Sequence, residues 1–564
     1  MQRNQKGILF SQVGYDIDRK KEILIRGPKN WLSDNAEIYI IGLDGNIKYK
    51  SKVKFLGEFW GINWWISDFS LFNEIGVYRI QLNDNNKLLL EDSGLTIGKN
   101  ILFEKTARYV GPENLKRRAI FASVKPGWFD AGYLWQEVPS HSTMIVGLCD
   151  LYKFASNLLS KQDKENTLSF IKDGCIYLAM CQDKAEEEGF GKGALIHDIA
   201  KAPKSFSPYD SFMASLAWIK SAEVLKEVDK TKADEFIQRA IKSLDWIENE
   251  AKPLVNNNVL YNQGWKEGLM YPNQWMTRYL MLALWCEVLL FSFGARKRMD
   301  RIDFLTKNIL KRQVTRDKAE KDFFGHFYAY DGIDITEKAW SHGMPSSGQN
   351  FYFGSDMGAV FAHPVFCFIE GIKRIPDYGY IHKWKESVEN FAYNYFKPAC
   401  LSSPFKILPR GVFGDEGLIW FAGVWHGTNT IYGQAAALAC EFYDLFKDKE
   451  FIDIAYSNLQ WICGLNAGIT KENIKLGCVV FDYDIPDDIA LSASMIQGVG
   501  NRCAGNWTNI RGSICNGFGT GKQFEYDVPP KKEFDSPDAL HDEDWITHNG
   551  GFLMGLARLY NLNE

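Results

Sequence analysis

The strongest constraint on this chain is a change of period near residue 99. From Ile8 to Ile97, segments such as KEILIRG, AEIYIIG, INWWISDF and GVYRIQL alternate apolar and polar residues and are separated by Gly, Asp and Asn. That is the pattern of half-buried strands in a sandwich. Beyond Lys99, apolar residues recur at three- and four-residue intervals, as in DSFMASLAWIKSAEVLKEV and TRYLMLALWCEVLLFSFGA, which is the pattern of helices. The expectation is a multidomain chain, with a β-sandwich over residues 1–99 and an all-α domain over residues 100–564. The second part has room for about a dozen helices, enough for a double ring of alternating inner and outer helices. Segments such as AAALACEFYDLF, Ala435 to Phe446, put small residues where helices pack closely, so function is sought in the loops.

With 564 residues, 46% of them hydrophobic, the chain can build more than one core. A formal net charge of −5 and a pI near 6.1 argue against nucleic acid and anionic membranes, both of which reward clustered Lys and Arg. Neutral partners fit better, and carbohydrate in particular: 14% of residues are aromatic, and many of the 18 Trp stand beside Gly, Asn or Asp, where rings can stack on sugars. A large helical core would also bury many Trp, so both readings stay open. The 11 Cys are scattered without a Cys-x-x-Cys pair, as expected of buried thiols in a reducing compartment. The start MQRNQKGILFSQVGYD lacks an apolar signal core, and no segment offers the roughly 18 uncharged apolar residues of a membrane span. A cytoplasmic location is the expectation, or a secreted one if a leader has been removed. The oligomeric state is left open.

Two acidic segments carry candidate chemistry. In GWFDAGYLWQEVPSH, Asp130 sits among aromatic and small residues, a setting that a solubilising charge seldom needs. In HDEDWITHNGG, Asp542, Glu543 and Asp544 precede the last helix; they read equally as an exposed acidic turn favouring a helix N-terminus. The long loop SHGMPSSGQNFYFGSDMG offers His342, Gln349, Asn350 and Tyr352 as rim residues, and GWKEGLMYPNQWM offers Trp265 and Trp275. Structural loops and core packing explain both stretches as well. The nine His form no His-Glu-x-x-His pattern and no zinc spacing, and CNGFGTGKQF lacks the order of a phosphate-binding loop.

Several segments together resemble glycoside hydrolase family 9, the inverting cellulase family with an immunoglobulin-like domain ahead of an (α/α)6 barrel. SQVGYDIDRKKEILIRG is similar to the start of its N-terminal domain, and GWFDAGYLWQEVP to its Asp-Ala-Gly-Asp segment. VWHGTNTIYGQAAAL is similar to its Trp-Gly-x-Asn helix entry, LQWICGLNAG to its Leu-Leu-Gly-x-Asn-Pro turn, and DEDWITHNGGFLMGLARL to the Asn-Glu segment before its last helix. The resemblance implies hydrolysis of β-linked oligo- or polysaccharides, with Glu543 as general acid and Asp130 as base. It also implies sugar contacts at Tyr133, Trp425, His426, Arg502, Trp507 and His548. No cofactor is required, and a structural calcium is compatible with the loop Asp residues, as in some family members.

Two departures stand out. Tyr133 occupies the place of the family's second Asp, usually assigned as the principal base. Three readings remain: Asp130 as sole base with Tyr133 positioning the water or sugar, another acid such as Glu137 in the missing role, or a cleft that only binds. Where the family often has a His-His-Arg segment, MIQGVGNRCAGNWTNIRG offers Arg502, Asn506 and Trp507, which points to rebuilt subsites and to short or decorated glycans. Two alternatives belong to other classes. One is a polysaccharide lyase using Tyr133, His141 and His548 with Arg502 and Arg511; the other is a catalytically inactive carbohydrate-binding protein.

Overall fold

A computed structural model describes residues 4–132, 135–201, 205–251, 275, 277–319, 322–328, 331, 365–409, 411–413, 417–421, 429–474, 483–519 and 536–562. Eight strands come first: β1 (Gly7–Leu9), β2 (Tyr15–Asp16), β3 (Glu22–Gly27), β4 (Glu37–Ile41), β5 (Ile47–Phe59), β6 (Ile62–Asp68), β7 (Gly76–Asp84) and β8 (Lys87–Gly98). Alternation sets their inner face. Ile38 and Ile40 of β4 lie opposite Leu82 and Ile80 of β7, and all four are buried. The strands form one curled sheet in the order β1-β3-β6-β5-β4-β7-β8-β2, rather than two separate ones. The join is β5, whose 13 residues pair with β4 at one end and β6 at the other. A register shift between Phe55 and Gly57, with Gly57 at φ 133°, lets that strand bend from one layer to the next.

Helices begin at residue 101. They are α1 (Ile101–Val110), α2 (Pro112–Phe121), α3 (Val138–Ala155), α4 (Lys161–Glu187), α5 (Pro208–Leu225), α6 (Lys230–Asn249), α7 (Thr277–Phe293), α8 (Met299–Leu310), α9 (Phe366–Arg374), α10 (Ile381–Phe391), α11 (Lys397–Leu401), α12 (Asn429–Phe446), α13 (Glu450–Ile462) and α14 (Ile546–Leu559). Two short hairpins sit between them, β9 (Gly411–Phe413) with β10 (Gly417–Ile419), and β11 (Cys515–Gly519) with β12 (Ala539–Asp544).

Burial divides the helices. α3, α5, α7, α12 and α14 are buried around almost their whole circumference, whereas α4, α6, α8 and α10 bury one face. The buried helices touch in succession, α12 to α14, α14 to α3, α3 to α5, α5 to α7 and α7 to α9. Lys373 of α9 then reaches Glu441 of α12 at 2.6 Å. α4, α6, α8, α10 and α13 lie against that succession. α14 sits between α3 and α12 on paired glycines. A Cβ on Gly550 would stand 2.6 Å from the Thr143 carbonyl oxygen, and one on Gly551 would stand 2.7 Å from that of Thr430. That closeness carries the start of α14 into the interior.

The sheet is tied to the helical part by charged side chains. Lys406 pairs with Glu22 at 2.7 Å, Arg502 with Asp92 at 3.0 Å, and the Arg26 guanidinium donates to the Ala467 carbonyl at 2.7 Å. All the described cysteines but Cys503 are buried and none forms a disulfide. Among the described residues no helix is long and apolar enough to cross a membrane.

Candidate active site

The two acidic segments, more than 400 residues apart in the chain, meet. The Asp130 carbonyl accepts from the Ile546 amide at the start of α14 (2.8 Å) and from Arg118 Nη1 of α2 (2.9 Å). Arg118 is wholly buried, and its other nitrogens reach Asn114 Oδ1, Ser513 Oγ and, in an ion pair, the Asp544 carboxylate. One guanidinium thus fixes both segments to each other. Gly132 lies against the Trp507 ring, and Trp507 Nε1 donates to Asp542 Oδ1 at 2.7 Å. A side chain at residue 132 would push that ring away.

Asp542, Glu543 and Asp544 are not in an exposed turn but on β12, where the register with β11 shifts between Cys515 and Gly517. Such an irregularity re-aims side chains. Glu543 Oε2 accepts from Asn516 Nδ2 at 3.3 Å. Behind it the hydrogen-bond directions are fixed: the Thr430 amide donates to His548 Nδ1, so His548 Nε2 carries the proton and donates to Asn516 Oδ1 at 2.8 Å. Burial, with Asp544, Glu137 and Asp542 adding repulsion, pushes the Glu543 carboxyl up to about 8. It is protonated at neutral pH. Asp542 is raised to about 6, mainly by burial.

The other wall is built differently. Asp130 is wholly buried; its Oδ2 accepts from the Glu137 amide at 3.3 Å and its Oδ1 has no partner. Burial, with the Glu137 and Asp198 carboxylates, raises it well above the usual carboxylate range. Glu137 caps the N-terminus of α3, and its Oε1 lies 3.5 Å from His197 Nε2. His197 Nδ1 is 2.9 Å from Asp210 Oδ1, in the first turn of α5. Burial works to lower the His197 imidazole, but Asp210 and Glu137 raise it well above its ordinary value, so it is a buried imidazolium. Burial raises the Asp210 carboxyl and that imidazolium opposes it.

The remaining sequence candidates separate. Trp507, 38% exposed, lines the same region as Asp542. His548 is buried and supports Asn516; burial takes its imidazole down to about 3. His141 is stacked between Trp128 and Tyr177 at 4.6 and 4.1 Å and is likewise lowered to about 3. Arg502 is engaged by Asp92 and by the Ser492 carbonyl, Arg511 lies over the Tyr109 ring, and Asn506 donates to the Ser513 carbonyl. Trp275 packs edge-on to Phe212. Tyr133, Trp425, His426, Trp265, His342, Gln349, Asn350 and Tyr352 lie outside the described residues. Sequence reasoning missed Arg118, His197, Asp210 and Asn516. Among the described residues no group of His, Cys, Asp and Glu is arranged to hold a metal ion.

The whole fold is similar to that of several solved proteins. A metagenome-derived glycoside hydrolase family 9 endoglucanase superposes with a TM-score of 0.63 at 13% identity, covering 98% of this chain and 99% of that one. AaCel9A, solved in complex with a cellobiose-like isofagomine, gives 0.64 at 13% identity, with 99% and 100% covered. A Bacteroides ovatus GH9 protein gives 0.59 at 12% identity, with 98% of each chain covered. No family model matches the sequence, and no curated protein does. The chain therefore has the fold of family 9 glycoside hydrolases over its whole length, in a strongly diverged sequence.

Proposed function

We propose that this protein is an inverting glycoside hydrolase acting on β-linked oligo- or polysaccharides, with Glu543 as general acid and Asp130 on the base side. The observation that carries the reading is that the segments bearing Asp130 and Glu543 meet, held by Arg118, which binds the Asp130 carbonyl and the Asp544 carboxylate, and by the Ile546 amide. Glu543 holds a proton at neutral pH, and Asp130 keeps one oxygen unpartnered. Inversion needs an acid that protonates the leaving oxygen and, across a gap of about 6.5–9.5 Å, a carboxylate that holds the attacking water. Hydrolysis would begin with a β-glycoside bound between β12 and the 127–137 loop, one sugar resting on Trp507. Glu543 gives its proton to the glycosidic oxygen as the bond breaks, and water attacks the opposite face of the ring.

In this reading residues 1–99 form an immunoglobulin-like domain and residues 100–564 an (α/α)6 barrel. Its inner ring is α3, α5, α7, α9, α12 and α14, with the catalytic loops at one end. Tyr133, Trp425, His426 and Trp507 supply sugar contacts, while His548 acts behind Glu543. Short or decorated glycans suit the departures from the family pattern. Lyase chemistry is not favoured, because His141 and His548 are both buried, neutral and hydrogen-bonded to protein. The test is a panel of cello-, xylo- and chito-oligosaccharides and aryl β-glycosides, read by product chromatography and by NMR of the fresh anomer. Cleavage that releases the α-anomer supports the reading. Sugar binding with no turnover over long incubation, unchanged in Glu543→Gln, would replace the hydrolase with a carbohydrate-binding protein.

A further inference from the structure

Crowding poses the problem: Glu137 repels both Asp130 and Glu543, and Asp198 also repels Asp130, yet a base must stay ionised in that company. Like charges at this depth drive one another to protonate unless a cation or a dipole selects one of them. His197 stands beside these groups as a buried imidazolium. Its Nδ1 lies at hydrogen-bond distance from Asp210 and its Nε2 faces Glu137. Glu137 also stands at the N-cap of α3 and Asp210 in the first turn of α5, where helix dipoles favour negative charge. Asp130 has no cation within salt-bridge distance among the described residues; its carboxyl is held by the Glu137 amide and by Ser140.

We propose that Glu137 supplies the second carboxylate of the base side, taking the proton of the attacking water, with His197 and Asp210 as the pair that positions and backs it. This rests on the hydrolase reading above. As the water oxygen bonds to the anomeric carbon and the glycosidic C–O bond breaks, one water proton passes to Glu137 and the Glu543 proton passes to the leaving oxygen. Glu137 then loses a proton to solvent and Glu543 regains one, so nothing but water is consumed. Asp130, beside Glu137, orients the water with its unpartnered oxygen. The carboxylate that the family pattern puts at residue 133 thus arrives from four residues further along, at the start of α3.

The test uses the whole protein and whichever sugar the panel identifies, as an unactivated oligosaccharide and as its dinitrophenyl β-glycoside. Glu137→Gln should lower kcat by about 10²–10⁴-fold on both, because a base is needed whatever the leaving group. In Glu137→Ala, azide should restore turnover of the aryl glycoside and yield the inverted glycosyl azide, since azide needs no deprotonation. His-selective 15N NMR gives a readout independent of turnover: the His197 titration should move to lower pH in Glu137→Gln, which removes one of its two carboxylate partners. The proposal is overturned if a folded Glu137→Gln, checked by its melting curve, keeps kcat within about threefold. It is equally overturned if azide rescues Asp130→Ala and not Glu137→Ala. With Glu543→Gln inactive, those outcomes leave the hydrolase standing. A wild type that cleaves nothing in the panel removes both.

Discussion

The two sides of the site hold their carboxyl groups differently, Asp130 and Glu137 being buried and Glu543 part-exposed. On the β12 wall the backing of Glu543 is neutral, an amide held by an imidazole held by a backbone N–H, and repulsion from Asp544, Glu137 and Asp542 keeps the acid protonated. On the α3 wall the backing is an imidazolium between two carboxylates, each at a helix N-terminus. In the proposed reading, environment rather than residue type divides acid from base: Glu543 and Glu137 are the same side chain with different groups behind them. Arg118 spans both walls, bound to the Asp130 carbonyl on one and paired with Asp544 on the other.

The sharpest way to break this contrast is to remove the proton it protects. Glu543→Gln should cost about 10³–10⁴-fold on unactivated glycosides and far less on dinitrophenyl ones, because a good leaving group needs little protonation. Equal losses on both would take the acid role away from Glu543. Stability gives an independent check. The Glu543 carboxyl is pushed up to about 8 in the folded chain, against an ordinary value of 4.5. Between those values the unfolded chain ionises and the folded one does not, so the folded state loses stability as pH rises through that window. The melting temperature of Glu543→Gln should therefore exceed that of the wild type at pH 7 and match it at pH 4.

Next in size is the link between the walls. Arg118→Met leaves Asp544 buried without its cation, and removing one partner of a buried pair costs about 3–5 kcal/mol, measurable by denaturant unfolding. Adding Asp544→Asn should return much of that loss. A smaller effect is expected for His197→Asn, about 10–100-fold in kcat with KM little changed. Losing the cation favours the neutral form of Glu137, so the acidic limb of the pH–rate profile should move to higher pH. A uniform loss at all pH values would mean that His197 only holds the fold.

The sequence disclosed the walls better than their backing. The period change near residue 99 is a local signal, and the strands do end at Gly98 and the helices begin at Ile101; the aromatic setting of Asp130 is local as well. Local patterns also misled: HDED read as an exposed turn lies on a buried strand, because β11 and the α14 start cover it. The Arg502 pairing with Asp92 and the Arg118 pairing with Asp544 join residues about 400 positions apart, which no spacing rule can anticipate. His197 and Asp210 were hidden for the same reason: "IHDIA" and "SPYDSF" look like a loop and a helix start, and only α3 and α5 packing side by side brings them to Glu137.

The finest test concerns the hand-off from His548 to Glu543. Asn516 donates to the Glu543 carboxyl and favours its charged form, so it moderates the upward push of burial and of the neighbouring acids. Asn516→Ala removes that donor, and the Glu543 titration should move still further up. The alkaline limb of the pH–rate profile should follow it to higher pH, while kcat falls by about tenfold or less, the worth of about one hydrogen bond that orients the acid. Asn516→Asp should act more strongly in the same direction, since it replaces the donor with another negative charge. If instead the alkaline limb stays fixed in both variants, Glu543 is not the group whose proton sets it. The contrast between the two walls would then have to be redrawn around Asp542, the other raised carboxyl on β12.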